Sequence, residues 1–156
     1  MSRKAFQDYY PDNFSHCYGC GKKNEHGHHL KSYWDGDTTV ARFTPESYHT
    51  GGIPGYAYGG IVASLIDCHG TGSAAAAAFK AEGREMGTEP PIRFVTASLK
   101  VDYLKPTPLG VELEVRGEIL EVKGRKVTLN LSLIANGIVC AKGYMIAVRL
   151  PDDTTA

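Results

Sequence analysis

Net charge is the first thing this chain lacks: 17 lysines and arginines stand against 17 aspartates and glutamates. No global field draws it to nucleic acid or to an anionic membrane, so any anion must be held by local groups. Cysteine is scarce as well. Cys17, Cys20, Cys68 and Cys140 are too few for a disulfide scaffold in a chain of 156 residues. Met1-Ser2-Arg3-Lys4 leads into no apolar signal segment, which points to a cytoplasmic protein with reduced thiols. Apolar runs stay well short of the ~20 residues that span a bilayer, the longest candidate being the alanine-rich Ser73–Phe79. Internal repeats are missing, and the length suits one domain rather than two.

What is present falls into an ordered series. Residues 1–28 are polar and broken by Pro11, Gly19, Gly21 and Gly27, and read as an irregular arm or lid. Short strands are expected at about 29–34 and 37–44 around an Asp35-Gly36 turn, then a glycine-rich loop to Tyr58, then a long helix over about 59–82. Gly70 and Gly72 inside that helix, with the run Ala74 to Ala78, predict close approach of another backbone, from a sheet or a second copy. Beyond a second loop at 83–91 the alternation is clean. Val95, Ala97, Leu99, Val101 and Tyr103 oppose Thr96, Ser98, Lys100 and Asp102; Val111, Leu113 and Val115 oppose their charged neighbours; Val127, Leu129, Leu131 and Leu133 follow. Asn136-Gly137 signals a type I′ hairpin into a last strand of about 138–149. Two strands, one helix and a four-stranded meander make an α+β domain over 29–150 with the helix on one sheet face, followed by a tail at 151–156.

The chemistry concentrates at Gly55-Tyr56-Ala57-Tyr58-Gly59-Gly60 and the helix it opens. Unpaired N–H groups and partial positive charge at a helix N-terminus suit a polarised carbonyl, and glycine lets that carbonyl approach. Asp67 lies among Ile61, Leu65 and Ile66, where a carboxylate without a partner or a task is costly. A satisfied structural acid and a catalytic one are both open readings.

The segment Pro54-Gly55-Tyr56-Ala57-Tyr58-Gly59-Gly60, followed by Asp67, resembles the Pro-Gly-x-x-His-Gly-Gly-x6-acid pattern of hotdog-fold acyl-CoA thioesterases of the phenylacetic-acid-pathway branch. Residues 95–106, Gly124-Arg125-Lys126-Val127 and Cys17-Tyr18-Gly19-Cys20-Gly21 are similar to further stretches of that family, and the likeness covers about 29–149. It implies a hotdog fold, one long helix wrapped by an antiparallel sheet of five to six strands. It also implies that the Gly59 and Gly60 N–H groups bind a thioester carbonyl and that Asp67 is nucleophile or base toward water. Thr96 would lie near the acyl group and His49 beside the site, and Arg125 and Lys126 match the family's hairpin. Tyr58 replaces the family histidine, which bears on acyl preference and on activity itself. The function implied is hydrolysis of a CoA thioester, with no cofactor beyond the substrate's own coenzyme A. A non-catalytic acyl-CoA binding protein on the same fold is the alternative.

Helix arithmetic adds a constraint. Gly59 and Asp67 are eight residues apart, roughly 12 Å along a helix, so one thioester carbon cannot touch both. Two chains related by a two-fold axis would share two sites, giving an obligate homodimer, with a dimer of dimers as the further assembly open to it. Thr71, one turn beyond Asp67, either orients the water or carboxylate or bonds its own preceding turn. Lys105, Arg125 and Lys126 are candidate phosphate contacts. Cys17-x-x-Cys20 is half a zinc site with no second pair, so a glycine-rich lid turn and no metal is the expectation. Cys68 and Cys140 read as small core residues.

Overall fold

The computed structural model describes residues 3–152, so most of the tail expected at 151–156 lies outside the described residues. Strands β1 (Ser32–Asp35) and β2 (Thr38–Phe43) precede helix α1 (Gly59–Ala81), and β3 (Phe94–Tyr103), β4 (Leu113–Lys123), β5 (Lys126–Ala135) and β6 (Ile138–Arg149) follow. All six strands form one antiparallel sheet in the order β1-β2-β4-β5-β6-β3. This is the hotdog arrangement, with α1 laid across one face. Asn136 and Gly137 both take positive φ, as a type I′ turn requires.

The core is the seam between helix and sheet. Ile61, Leu65 and Ile66 meet Leu129, Leu131, Leu133, Ala141 and Met145, all at most 2 % exposed. Gly143 on β6 lets the helix come this close, since a Cβ there would stand 2.7 Å from Ile66 Cγ2. Gly70 and Gly72 answer to side chains rather than to the expected backbone: Met145 fills the space over Gly70 and Gln7 the space over Gly72. The alanines at 74–78 are all buried.

Polar groups in this interior are tied together. His69 is fully buried, with Nδ1 2.8 Å from Ser32 Oγ and Nε2 3.0 Å from Thr39 Oγ1, and Thr39 Oγ1 lies 2.7 Å from Ser73 Oγ. Burial pushes the imidazole down to about 4, so it is neutral at physiological pH. The N-terminal arm is more than an irregular lid. Its 3₁₀ turns at Phe6–Tyr9 and Asp12–Phe14 dock against the domain, burying Ala5, Phe6 and Gln7, and Gln7 Nε2 donates to Ser32 Oγ at 3.1 Å.

Three register shifts interrupt the sheet, one of them between Leu133 and Ile134 where β5 pairs with β6. In β4 the register slips between Ile119 and Glu121, leaving Leu120 and Val122 exposed. In β3 it slips between Thr96 and Ser98 around Ala97. An extra residue reverses which side chains face the core. Phe94 and Thr96 therefore point toward the helix while Val95 points out, and beyond the bulge Leu99 and Val101 take the inner side. The single uninterrupted alternation expected for residues 95–103 is corrected at this point.

Candidate active site

The helix is buried nearly all round, but Ala63, Ser64, Asp67 and Thr71 form a half-buried stripe at three- and four-residue spacing. Asp67 thus lies on the open stripe rather than among the apolar residues around it in sequence. Its carboxylate meets the inner face of β3: Thr96 Oγ1 donates to Asp67 Oδ1 at 2.5 Å. Only the bulge at Ala97 turns that hydroxyl inward. A cavity of about 330 Å³ opens there, lined by Asp67, Thr71 and Thr96 together with Phe14, Cys17 and Arg93.

Thr71 shares the cavity, yet its hydroxyl bonds the preceding turn, 3.3 Å from the carbonyls of Asp67 and Cys68. Of its two readings the local one describes its hydrogen bonds. Cys17, Arg93 and Phe14 on the cavity wall were not among the residues expected there. Arg93 is three residues before Thr96, a spacing that gave no signal without knowledge of the bulge, and Arg93 also stacks over Phe14 at 4.6 Å.

The glycine end of α1 lies elsewhere. Gly59 and Gly60 are exposed, and the Tyr58 carbonyl accepts the Ile61 N–H at 3.2 Å. Helix geometry leaves the first N–H groups without intrahelical partners. Tyr103 donates its hydroxyl to the Gly59 carbonyl at 2.7 Å. The Tyr58 ring folds back over Gly60, occupying the space a Cβ would need, and is itself half exposed. His49 holds the loop from behind. Its carbonyl accepts the Tyr58 N–H at 3.0 Å, its Nδ1 accepts the Glu46 N–H at 2.8 Å, and its ring packs on His28, Phe43 and Tyr48. A separate cavity of about 270 Å³ lies here, lined by Gly59, Val62, Tyr103 and Lys105.

Within one chain the structure therefore does not bring the predicted residues into one site. Asp67, Thr96 and Thr71 share one cavity; Gly59 and Lys105 share another. Arg125 and Lys126 sit on the β4–β5 turn, with Lys126 paired to Val148 and the Arg125 guanidinium 2.5 Å from the Arg149 carbonyl. Arg149 in turn pairs with Phe94, so this turn is at the Thr96 end of β3, while Lys105 follows its other end.

Beside Asp67 three thiols converge. The Sγ atoms of Cys17, Cys20 and Cys68 all lie within 4.8 Å of one another, all as free thiols. The thiols of Cys20 and Cys68, with the Gly19 N–H, hold the Cys17 thiol well below the ordinary range; Cys20 and Cys68 are raised in exchange.

Residues 54–141 match the thioesterase superfamily. The chain belongs to that superfamily. A crystal structure of a thioesterase superfamily protein from Shewanella loihica is 51 % identical, covering 91 % of this chain and all of its own, with a TM-score of 0.68. Acyl-coenzyme A thioesterase THEM4 of Rattus norvegicus is 33 % identical over 85 residues, 54 % of this chain and 31 % of the relative. This thioesterase superfamily chain thus spans about a third of the length of the curated relatives it matches. The E. coli PaaI protein shares the fold at 14 % identity, with a TM-score of 0.63 over 78 % of this chain and 80 % of its own. No described helix of this superfamily member is long and apolar enough to cross a membrane.

Proposed function

We propose that this thioesterase superfamily chain hydrolyses acyl-CoA thioesters to the free acid and coenzyme A. The observation that carries the reading is a carboxylate, Asp67, held by Thr96 at the wall of a cavity large enough for an acyl group. Asp67 acts on water as general base, or attacks as nucleophile. As base it takes a proton from the water that adds to the thioester carbon and returns it to the departing thiolate as the C–S bond breaks; as nucleophile it displaces that thiolate to form a mixed anhydride, which water then opens to the free acid. The Gly59 and Gly60 N–H groups polarise the carbonyl oxygen, a contribution of about 2.7–4 kcal/mol to the barrier for donors of this kind.

These groups act together across a homodimer. Their separation of roughly 12 Å along α1 supports it, and so does the edge of β3. That strand is ten residues long, pairs only with β6, and leaves Val95 and Tyr103 exposed, with Leu104 just beyond. A free apolar edge of this kind is a template for another strand. Antiparallel pairing of two β3 edges sets the Lys105 end of one chain against the Arg125 and Lys126 end of the other. The three cations then flank one coenzyme's phosphates, and His49 and Tyr58 line the approach on the loop.

The test is thiol release from a panel of acyl- and aroyl-CoA thioesters by native protein and by Asp67→Ala. A loss of about 10²–10⁴-fold in kcat is expected for removal of a positioned base. If the native protein binds CoA esters and hydrolyses none of them, the chain is a binding protein and the enzyme reading falls.

A further inference from the structure

The cysteines at 17, 20 and 68 take no part in thioester hydrolysis as described, yet the fold brings them together from distant parts of the chain. Cys17 and Cys20 belong to the arm, and Cys68 to α1 immediately after Asp67. Cys17 Sγ is 3.7 Å from Cys68 Sγ. That is far beyond a disulfide bond, which is about 2.05 Å long. It matches the edge of a metal–thiolate tetrahedron, since a Zn–S bond of about 2.3 Å sets neighbouring sulfurs about 3.8 Å apart.

The surroundings are built for three sulfurs. The Cys17-Tyr18-Gly19-Cys20-Gly21 turn closes with the Gly21 N–H on the Cys17 carbonyl at 2.8 Å, and the Gly19 N–H points at Cys17 Sγ at 3.3 Å. Any side chain on Gly19 would collide with Cys68 Sγ. The turn is anchored on both flanks, by the Lys23 N–H on the Ser15 carbonyl at 2.9 Å and the Leu30 N–H on the Gly19 carbonyl at 3.1 Å. Cys20 and Cys68 are buried while Cys17 reaches the surface, which gives an ion a route in.

We propose that Cys17, Cys20 and Cys68 form a three-thiolate zinc site that clips the arm to α1, with water from the adjoining cavity as fourth ligand. Soft sulfur ligands select zinc over magnesium or calcium, and three protein ligands with an open position are a known zinc arrangement. An iron–sulfur cluster would call for four cysteines, and Cys140 stands apart, its thiol 3.6 Å from the Ile138 carbonyl. Each thiol that enters coordination releases its proton to solvent.

The experiment uses the full chain, reduced and stripped with a chelator, then titrated with cobalt(II) as a spectroscopic stand-in for zinc. A thiolate-to-cobalt charge-transfer band saturating at one ion per chain, and bleached by added zinc, is expected. Cys17→Ser and Cys68→Ser should weaken cobalt binding at least tenfold, while Cys140→Ser binds as the native chain does. Circular dichroism of each variant separates lost binding from lost folding. Cys17→Ser is the decisive variant because its side chain reaches solvent. The proposal is overturned if the native chain gives no such band, or if the band survives in folded Cys17→Ser. It is equally overturned if peptide mapping finds these thiols oxidised as isolated and the reduced chain still takes up no metal. None of these readouts depends on thioester hydrolysis.

Discussion

Replacing Thr96 with valine removes one hydroxyl beside Asp67 and keeps the side-chain shape. The Thr96 Oγ1 to Asp67 Oδ1 bond, at 2.5 Å, fixes where the carboxylate points. A hydrogen bond to a charged group contributes about 1.5–3 kcal/mol net. At about 1.36 kcal/mol per tenfold, its loss lowers kcat by roughly 10- to 150-fold if Asp67 must be held to act. The assay is initial-rate thiol release over a range of acyl-CoA concentrations, so that kcat and KM separate. A positioning role lowers kcat and leaves KM within about threefold, and Thr96→Ser, which keeps the donor, restores most of the rate. Native kcat in a folded Thr96→Val protein would refute the reasoning. A raised KM at unchanged kcat would instead make Thr96 a contact of the acyl group.

Thr39→Val deprives buried His69 and Ser73 of a shared partner; at about 1–3 kcal/mol per unsatisfied group it should cost about 2–6 kcal/mol, a fall in Tm of roughly 4–24 °C by calorimetry. Thr39→Ser should lose only about 1 kcal/mol, for the missing methyl group. Burial opposes ionisation of Asp8, but the Lys31 ammonium 2.6 Å away and the Ala5 N–H outweigh it and hold its pKa below 3.8. Its stabilising contribution is therefore complete above that value and fades as pH falls through the lower folded one. Asp8→Asn should flatten the acid limb of the stability curve by no more than about 1 kcal/mol, as suits a partly exposed pair. Mixed and refolded, inactive Asp67→Asn and Gly59→Val chains should regain about a quarter of native activity, since each mixed dimer rebuilds one of two shared sites; no recovery would argue against sites built from two chains.

The helix from Gly59 and the hairpin at Asn136-Gly137 were legible because each rests on local signals: a glycine-rich N-terminus, an apolar run, a turn pair with positive φ. Asp67 stood out for the opposite reason, as an acid with apolar neighbours in sequence, although the fold sets it on the helix's half-buried stripe. The Ala97 bulge was not legible, because a strand with one residue too many still alternates on paper, and the slip shows only in pairing with β6. Nor was the arm's role. Its buried Phe6 and Gln7 are two apolar and polar letters in a polar stretch, and they pack on partners 25 or more residues away. Cys68 joined Cys17 and Cys20 through the same long-range docking, which no spacing within a single motif encodes.

The bulge also makes the candidate site a matter of counting. With residues 98–103 held by β6, deletion of Ala97 would leave Thr96 opposite Ala147 and still facing Asp67, whereas pairing Ala97 itself with Ala147 would turn Thr96 outward and Val95 toward Asp67, trading a donor for a methyl group without changing either residue. The acid thus keeps its partner as long as one residue stays out of the ladder, at a position whose own side chain touches nothing in the chemistry.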